Sequence, residues 1–245
     1  MFAADSTAPT VPAATAQANN FSTTQTKQIE DIVHSYLVKN PQVLVEAANS
    51  LQQQQMSQME KTASKAIAKN AKDIFNSPGS PVMGNPQGDV TLVEFMDYQC
   101  GHCKDMGPVL DALIKSDGQL RVVIKEFPIF GPDSEFASRA ALASQKQGKF
   151  TAFHLALLAD RNRLNKDEVL KVAQKVGIDT QKLQQDMNDP AIDAQLKENV
   201  RLAQELGLIG TPAIVIGNKS GSKTAFIPGT ASKDNLIQVI KQTRS

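Results

Sequence analysis

The sequence predicts an α/β domain with a helical insertion, preceded by a separate helical extension. Three observations predict it. The apolar run Val90 to Met96 leads through a helix-like run into a second apolar run, Leu120 to Phe127, which reads as the strand–helix–strand unit of a parallel pair. From 134 to 206 the periodicity is helical throughout, and strand-like runs return at Pro212. Upstream, residues 27 to 76 carry apolar positions at helical spacing and are cut off from the rest by a Pro- and Gly-rich stretch.

The length of 245 residues allows one full-sized domain plus an appendage. An apolar content of 41% supplies an ordinary core, and 26 basic against 25 acidic residues argue against a nucleic-acid or bilayer footprint. No apolar run reaches the roughly 18 residues of a membrane span. The opening Met1-Phe2-Ala3-Ala4-Asp5 lacks the basic and apolar segments of a signal peptide. That fits either a cytosolic chain or an exported one written without its signal.

In chain order, residues 1–26 are rich in Ala, Thr, Ser, Gln, Asn and Pro and are expected to be a disordered tail. Helical spacing begins at Lys27, with Ile29, Val33, Tyr36 and Leu37 on one face and His34 beside it in a packing or surface role. Asn40-Pro41 reads as the N-cap and first residue of a second helix extending to about Phe75. At ~1.5 Å per residue such a helix reaches roughly 50 Å. Its apolar positions include Leu44, Leu51, Met56, Met59, Ala63, Ile67 and Ile74, the two methionines reading as seam fillers rather than metal ligands. A two-helix hairpin is too small for its own core, and each Leu or Ile left exposed forfeits about 1.5–3 kcal/mol. Residues 27–76 are therefore expected to pack against a copy of themselves, with packing on the chain's own domain as the plainer alternative.

Ser77 to Asp89, with three prolines and three glycines, reads as a linker into the domain at 77–245. The strand Val90–Met96, a helix over 104–115, an Asp117-Gly118 turn and the strand Leu120–Phe127 follow. Helices are expected at Ser134–Gln147, Lys149–Ala159, Lys166–Val176, Asp179–Met187 and Pro190–Leu206. Strands at Pro212–Ile216 and Thr224–Ile227 and a helix at Lys233–Gln242, capped by Ser232, close the chain. His154, between Phe153 and Leu155, is expected to pack at the core's edge.

Only two cysteines occur, Cys100 and Cys103, in Cys-Gly-His-Cys after a strand and at the start of a helix. Zinc would need four ligands where these supply two, and covalent haem would need a His where Lys104 stands. A redox dithiol is the expected chemistry, with no metal and no cofactor beyond the Cys100–Cys103 disulfide itself. Cys100 is the expected nucleophile, since the N–H groups and dipole of a helix N-terminus stabilise a thiolate there. His102 adds partial positive charge near neutral pH, and Cys103, one turn inward, is expected to be the buried resolving thiol. Asp97 and Tyr98 are expected on the rim without a catalytic part.

Phe95-Met96-Asp97-Tyr98-Gln99-Cys100-Gly101-His102-Cys103, Lys125-Glu126-Phe127-Pro128-Ile129-Phe130-Gly131-Pro132-Asp133-Ser134 and Gly210-Thr211-Pro212-Ala213 together resemble the DsbA-like oxidoreductases. The resemblance runs from 27 to 245 and is strongest to the branch with an N-terminal helical extension, which includes Com1-like and ScsC-like proteins and the dimeric Legionella type. It implies a thioredoxin fold with an inserted helical domain over about 134–206, and a periplasmic location. Thr211-Pro212 would be the cis-proline element that receives substrate, and Glu94 the family's buried acid, relaying a proton to or from Cys103; an exposed strand carboxylate is the plainer alternative. Implied partners are exported proteins with cysteines, a membrane redox partner of the DsbB or DsbD type, and a second copy of the chain joined through 27–76 as a dimer. No nucleic acid is expected. Gly101-His102 replaces the Pro-His usual in the monomeric oxidases, and those monomers lack the extension. Both differences point toward disulfide isomerisation as well as formation. A dedicated oxidant or reductant, and a non-catalytic holdase or metal-binding module, stand as alternatives.

Overall fold

The computed structural model describes residues 21–244, and the first twenty residues of the expected tail lie outside the described residues. Helix α1 (Thr23–Lys39) begins four residues before Lys27. Its start is a capping box: the Ser22 hydroxyl accepts from Gln25 N at 3.3 Å and the Gln25 side chain accepts from Ser22 N at 2.8 Å. The Ser-Thr-Thr-Gln spelling of that box was legible, but the polar composition around it masked the signal. Asn40 closes α1 rather than opening the next helix, its backbone N–H and its side-chain amide both donating to Tyr36 O at 2.9 Å.

Helix α2 (Gln42–Phe75) follows. The chain divides into two compact units between Gln55 and Met56, inside this helix rather than at the linker after 76. In the first unit α1 buries no residue, and Ile32, Val33, Tyr36, Val38, Leu44, Val45 and Leu51 are all exposed.

The second unit holds a five-stranded sheet in the order β1-β3-β2-β4-β5. Strand β1 (Val82–Gly84) is a three-residue edge strand within the expected linker, antiparallel to β3 with Val82 opposite Val123. The central strand β2 (Val90–Met96) is buried at every position. It leads into α3 (Gly101–Ser116), and β3 (Leu120–Glu126) returns parallel to β2. The insertion comprises α4 (Pro132–Ala143), a 3-10 turn at Ser144–Gln147, α5 (Phe150–Ala159), α6 (Lys166–Lys175), α7 (Thr180–Asp186) and α8 (Pro190–Glu205). Then come β4 (Ala213–Asn218), antiparallel to β2, β5 (Thr224–Ile227) and α9 (Lys233–Arg244). Asn165, Asp179 and Asp189 cap α6, α7 and α8, each accepting backbone N–H groups of the first turn.

The two-residue period of the strands splits the core into two layers. On one face Leu92, Met96, Val122, Ile124, Ile214 and Ile216 pack with α3, α9 and the insertion. On the other, Val93, Phe95, Val123 and Val215 pack with Ala63, Ile67, Ile74 and Phe75 of α2 and with Leu202 and Leu206. The C-terminal half of α2 is therefore a wall of the domain's core. Its backbone leaves helical geometry at Asn70 (φ −113°, ψ 21°), where the side-chain amide donates to Ala66 O at 3.0 Å and to Glu205 Oε2 at 2.6 Å. A side chain inserted against its own helix ladder is an ordinary cause of such a kink.

Two outcomes follow for unfolding in urea. Ile67→Ala empties a buried site and should cost about 2–5 kcal/mol. A chain starting at Met56 should unfold at the same midpoint as the whole protein, whereas one starting at Ser77 should be severely destabilised. Equal midpoints for both shortened chains would place α2 outside the core.

Candidate active site

Strand β2 delivers the redox turn. After Met96 the chain turns so that Cys100 N donates to Asp97 O at 3.1 Å, and Lys104 N closes the first helical bond on Cys100 O at 3.0 Å. Cys100 is thus the N-cap of α3, in extended geometry (φ −74°, ψ 119°). Its sulfur lies where the first helical N–H groups have no intrahelical partner, the end of a helix that best accommodates a negative atom. Both cysteines are free thiols, and Cys100 Sγ donates to Thr211 O at 3.2 Å. The Thr211-Pro212 bond is cis, so the expected proline element stands beside the expected nucleophile. Cys100 is 5% exposed and Cys103 wholly buried. His102 is exposed on the first turn of α3. At Gly101 an added Cβ would meet nothing within 4 Å, so packing does not demand glycine there.

The two thiols sit in opposite surroundings. Burial first, and then the charge of Glu94, push the Cys103 thiol well above its ordinary value. Glu94 is 1% exposed, in register between Ile124 and Ile214, and is not an exposed strand carboxylate. Neither carboxyl oxygen has a hydrogen-bond partner among the described residues, and burial pushes its pKa up to about 8. An acid in that condition is protonated near neutral pH and still able to exchange its proton.

A polar cluster that sequence reasoning missed lies next to this pair. Tyr98 Oη is 3.0 Å from Glu126 Oε1 and 2.8 Å from His154 Nδ1, and the Ser138 hydroxyl donates to Glu126 Oε2 at 2.9 Å. All four residues are buried. Burial pushes Glu126 up to about 8 and holds His154 down at about 3, so the imidazole is neutral. His154 also stacks on Phe150, with ring centroids 5.3 Å apart. It is a buried interior residue bonded to Tyr98 through Nδ1, beyond the edge packing expected of it. Asp97 is buried as well: one carboxylate oxygen accepts from Gln99 N at 2.8 Å, the other from Ile129 N at 2.7 Å and Phe130 N at 3.2 Å. It ties the loop after β3 to the redox turn. A lone Glu closing the apolar β3 was the one signal that could have disclosed the cluster.

The surface around Cys100 is apolar. Ile129 and Phe130 are exposed on the tied loop, and Ile209, just before Thr211, is 90% exposed. A cavity of about 280 Å³ beside the proline is lined by Met56, Met59, Ile209, Thr211 and Pro212 among others. The two methionines thus line a cavity of the second unit. No group of three or more His, Cys, Asp or Glu side chains among the described residues could hold a metal ion.

The raised acids link stability to pH with a definite sign. Glu94 has a folded pKa of about 8 against about 4.5 unfolded, so between those values the folded state holds the extra proton. Stability contributed by the neutral carboxyl is therefore present below about pH 4.5 and is lost as pH rises through about 8. Glu94→Gln should flatten this decline and raise stability at pH 8 by more than about 1 kcal/mol. Urea midpoints measured from pH 5 to 9 decide it: an unchanged slope would place the ionisation elsewhere.

Comparison with known proteins accords with this geometry. The DSBA-like thioredoxin domain model matches residues 91–241, and the model of the copper resistance protein ScsC N-terminal domain matches residues 25–58. A thioredoxin-like oxidoreductase from Silicibacter pomeroyi superposes with a TM-score of 0.68 at 41% identity, covering 71% of this chain and 98% of that one. Proteus mirabilis ScsC in a transitional conformation gives 0.66 at 27% identity, covering 92% and 97%. The thiol:disulfide interchange protein DsbA of Burkholderia cepacia is 26% identical over 194 residues, 74% of this chain and 90% of that protein. The chain spans only about 22% of the length of matching Na(+)/H(+) antiporters NhaA, such as that of Salinispora tropica, 26% identical over 140 residues. No helix among the described residues is long and apolar enough to cross a membrane. With the family model covering four of the five strands, the helix that carries the cysteines and the cis-proline turn, the chain belongs to the DSBA-like thioredoxin domain family.

Proposed function

We propose that this thiol–disulfide oxidoreductase works in the periplasm, forming and rearranging disulfides in exported proteins through Cys100 and Cys103. One observation carries the reading: Cys100 Sγ at the N-cap of α3 lies 3.2 Å from the carbonyl of the cis Thr211-Pro212 pair, with Cys103 buried behind it.

In oxidation a client thiolate attacks Cys100 Sγ of the enzyme disulfide, and Cys103 leaves with the bonding pair. A thiolate is strongly disfavoured in that buried place, so Cys103 must take up a proton, and neutral Glu94 supplies it before being recharged from solvent. A second client thiolate then attacks the client sulfur of the mixed disulfide, and Cys100 departs as thiolate at the helix N-terminus. Two electrons have passed from client to enzyme. Isomerisation starts from the reduced pair: Cys100 attacks a client disulfide, the freed client thiolate attacks a second client disulfide, the thiolate that this releases attacks the mixed disulfide and displaces Cys100, and Cys103 resolves by reduction any complex that stalls. Once Cys100 is bonded to a client sulfur it has no proton to give Thr211 O, and that carbonyl is free for a backbone N–H of an extended client segment. His102 remains exposed on the first turn of α3. The reaction needs no cofactor beyond the disulfide, and a membrane partner of the DsbB or DsbD type would reset the pair.

The first unit supports self-association. Among the described residues its Ile32, Val33, Tyr36, Val38, Leu44, Val45 and Leu51 side chains are exposed, and full burial of an apolar side chain of that size is worth about 1.5–3 kcal/mol. A homodimer joined there would set two redox faces around one client. The segment used for pairing would be residues 23–55, since the remainder of α2 is committed to the core.

Cys100→Ser should abolish both insulin reduction and refolding of scrambled ribonuclease, and Cys103→Ser should accumulate mixed disulfides that dithiothreitol releases. Full activity of Cys100→Ser sinks the mechanism. Removing residues 1–55 should leave oxidation of a model peptide intact, lower the mass measured by light scattering from that of two chains to that of one shortened chain, and reduce ribonuclease rearrangement severalfold. Unchanged rearrangement by the shortened chain would identify a dedicated oxidant or reductant instead.

A further inference from the structure

At the far end of β2 from the redox turn is a cavity of about 370 Å³ between the C-terminus of α2, the segment before β2 and the β4–β5 turn. Lys72, Arg121 and Lys219 all line it, with Thr91, Gln87 and Ser220, and no Asp or Glu does. In a chain with 26 basic and 25 acidic residues, three cations converging without a carboxylate is a local departure from balance. Arg121 is half-buried on the sheet face covered by α2. Of its five N–H donors only those on Nη1 are bonded among the described residues, to Phe75 O at 2.6 Å and to Thr91 Oγ1 at 3.5 Å. Neither acceptor carries charge. Lys72 and Lys219 are exposed and make no hydrogen bond or ion pair through their ammonium groups among the described residues. The carboxylates next to the lining residues are engaged elsewhere, Asp89 with Arg244 at 3.0 Å and Asp73 with Arg201 at 3.7 Å.

We propose that this cavity is a binding site for a small phosphorylated molecule bearing at least two negative charges. A half-buried guanidinium with unused N–H groups presents the fork that binds phosphate oxygens in pairs, and two mobile ammonium groups add charge without geometric demand. A concave wall of one sign also focuses its field on a multivalent anion far more than on chloride. The volume exceeds what a single phosphate fills, which favours a diphosphate or a phosphorylated sugar, free or as a lipid headgroup. The site is about five residues along β2 from the redox turn, roughly 17 Å at strand rise, so its occupancy is separable from thiol exchange.

Titration calorimetry of the full chain with pyrophosphate at constant ionic strength tests the site, and co-sedimentation with phosphatidic acid vesicles separates a headgroup from a free ligand. Binding should be at least about tenfold weaker for the Lys72→Gln/Lys219→Gln pair, neither lysine being needed to fold. The Lys175→Gln/Lys197→Gln pair, which removes the same charge from other exposed positions, should bind like the unaltered chain. All three proteins should reduce insulin equally. Absence of binding to both probes, or equal weakening by both pairs, would leave Arg121 as a cap on the last carbonyl of α2 and overturn the proposal.

Discussion

The site depends on the immobility of one strand. β2 is paired on both edges and buried on both faces along its whole length, so neither a change of register nor a tilt is open to it without unmaking both core layers. Asp97 to Cys103 leave directly from its end, and their position is inherited from it. Strand β4, its other neighbour, begins at Ala213, which brings the cis Thr211-Pro212 pair level with the start of α3. The contact between Cys100 and Thr211 is thus the meeting of two loops at the ends of adjacent strands, and no separate device is needed to align them.

That placement makes the two thiols chemically unequal although they are three residues apart. Cys100 occupies the open end of a helix, and Cys103 points into the layer that also contains Glu94. The arrangement costs stability. Glu94 has no hydrogen-bond partner among the described residues, and an unpaired buried polar group typically costs about 1–3 kcal/mol. Glu126 sits in comparable burial but with Tyr98 and Ser138 bonded to its carboxyl oxygens, so its polarity is absorbed locally. Of the two acids, the unpaired one is the one whose charge bears on Cys103, which fits the general pattern of strain and unsatisfied polarity collecting where chemistry is done.

What was legible in the sequence follows the range of the interactions. Cys100, Cys103 and the helix they open are written within a few residues, and strands β2 to β5 announce themselves by apolar runs. The cis bond at Thr211-Pro212 was reachable only through family resemblance, because its partner Cys100 is 111 residues away. Nothing local shows that Tyr98, Glu126 and His154, separated by 28 and 56 residues from the tyrosine, would meet; it follows only once Met96 is known to pair with Glu126. The limits of the extension failed for a related reason. The apolar period of α2 runs on through Leu51, Met56, Ala63 and Ile67, and periodicity says that a face is buried without saying by what. Strand β1 was missed because three residues between prolines and glycines carry no period at all.

The same two-residue period sorts the charges. On β2 and β3, Glu94 and Glu126 point into the layer of α3 and the insertion, while Arg121 and Lys125 point to the layer of α2. There Lys125 Nζ donates to Asp73 O at 2.8 Å, as well as to Ser77 and Ser80, and Arg121 donates to Phe75 O at 2.6 Å. Both cations therefore hold the carbonyl end of α2, the end whose partial negative charge attracts them. On the opposite face burial pushes both Glu94 and Glu126 up to about 8, so they remain largely protonated near neutral pH. A slip of one residue in β3 would turn Glu126 toward the carbonyl end of α2 and Arg121 and Lys125 toward the layer of α3, while Glu94 on β2 stayed where it is. The helix would lose its anchors and the layer that holds Cys103 would gain positive charge, so one register secures both the docking of α2 and the different surroundings of the two thiols.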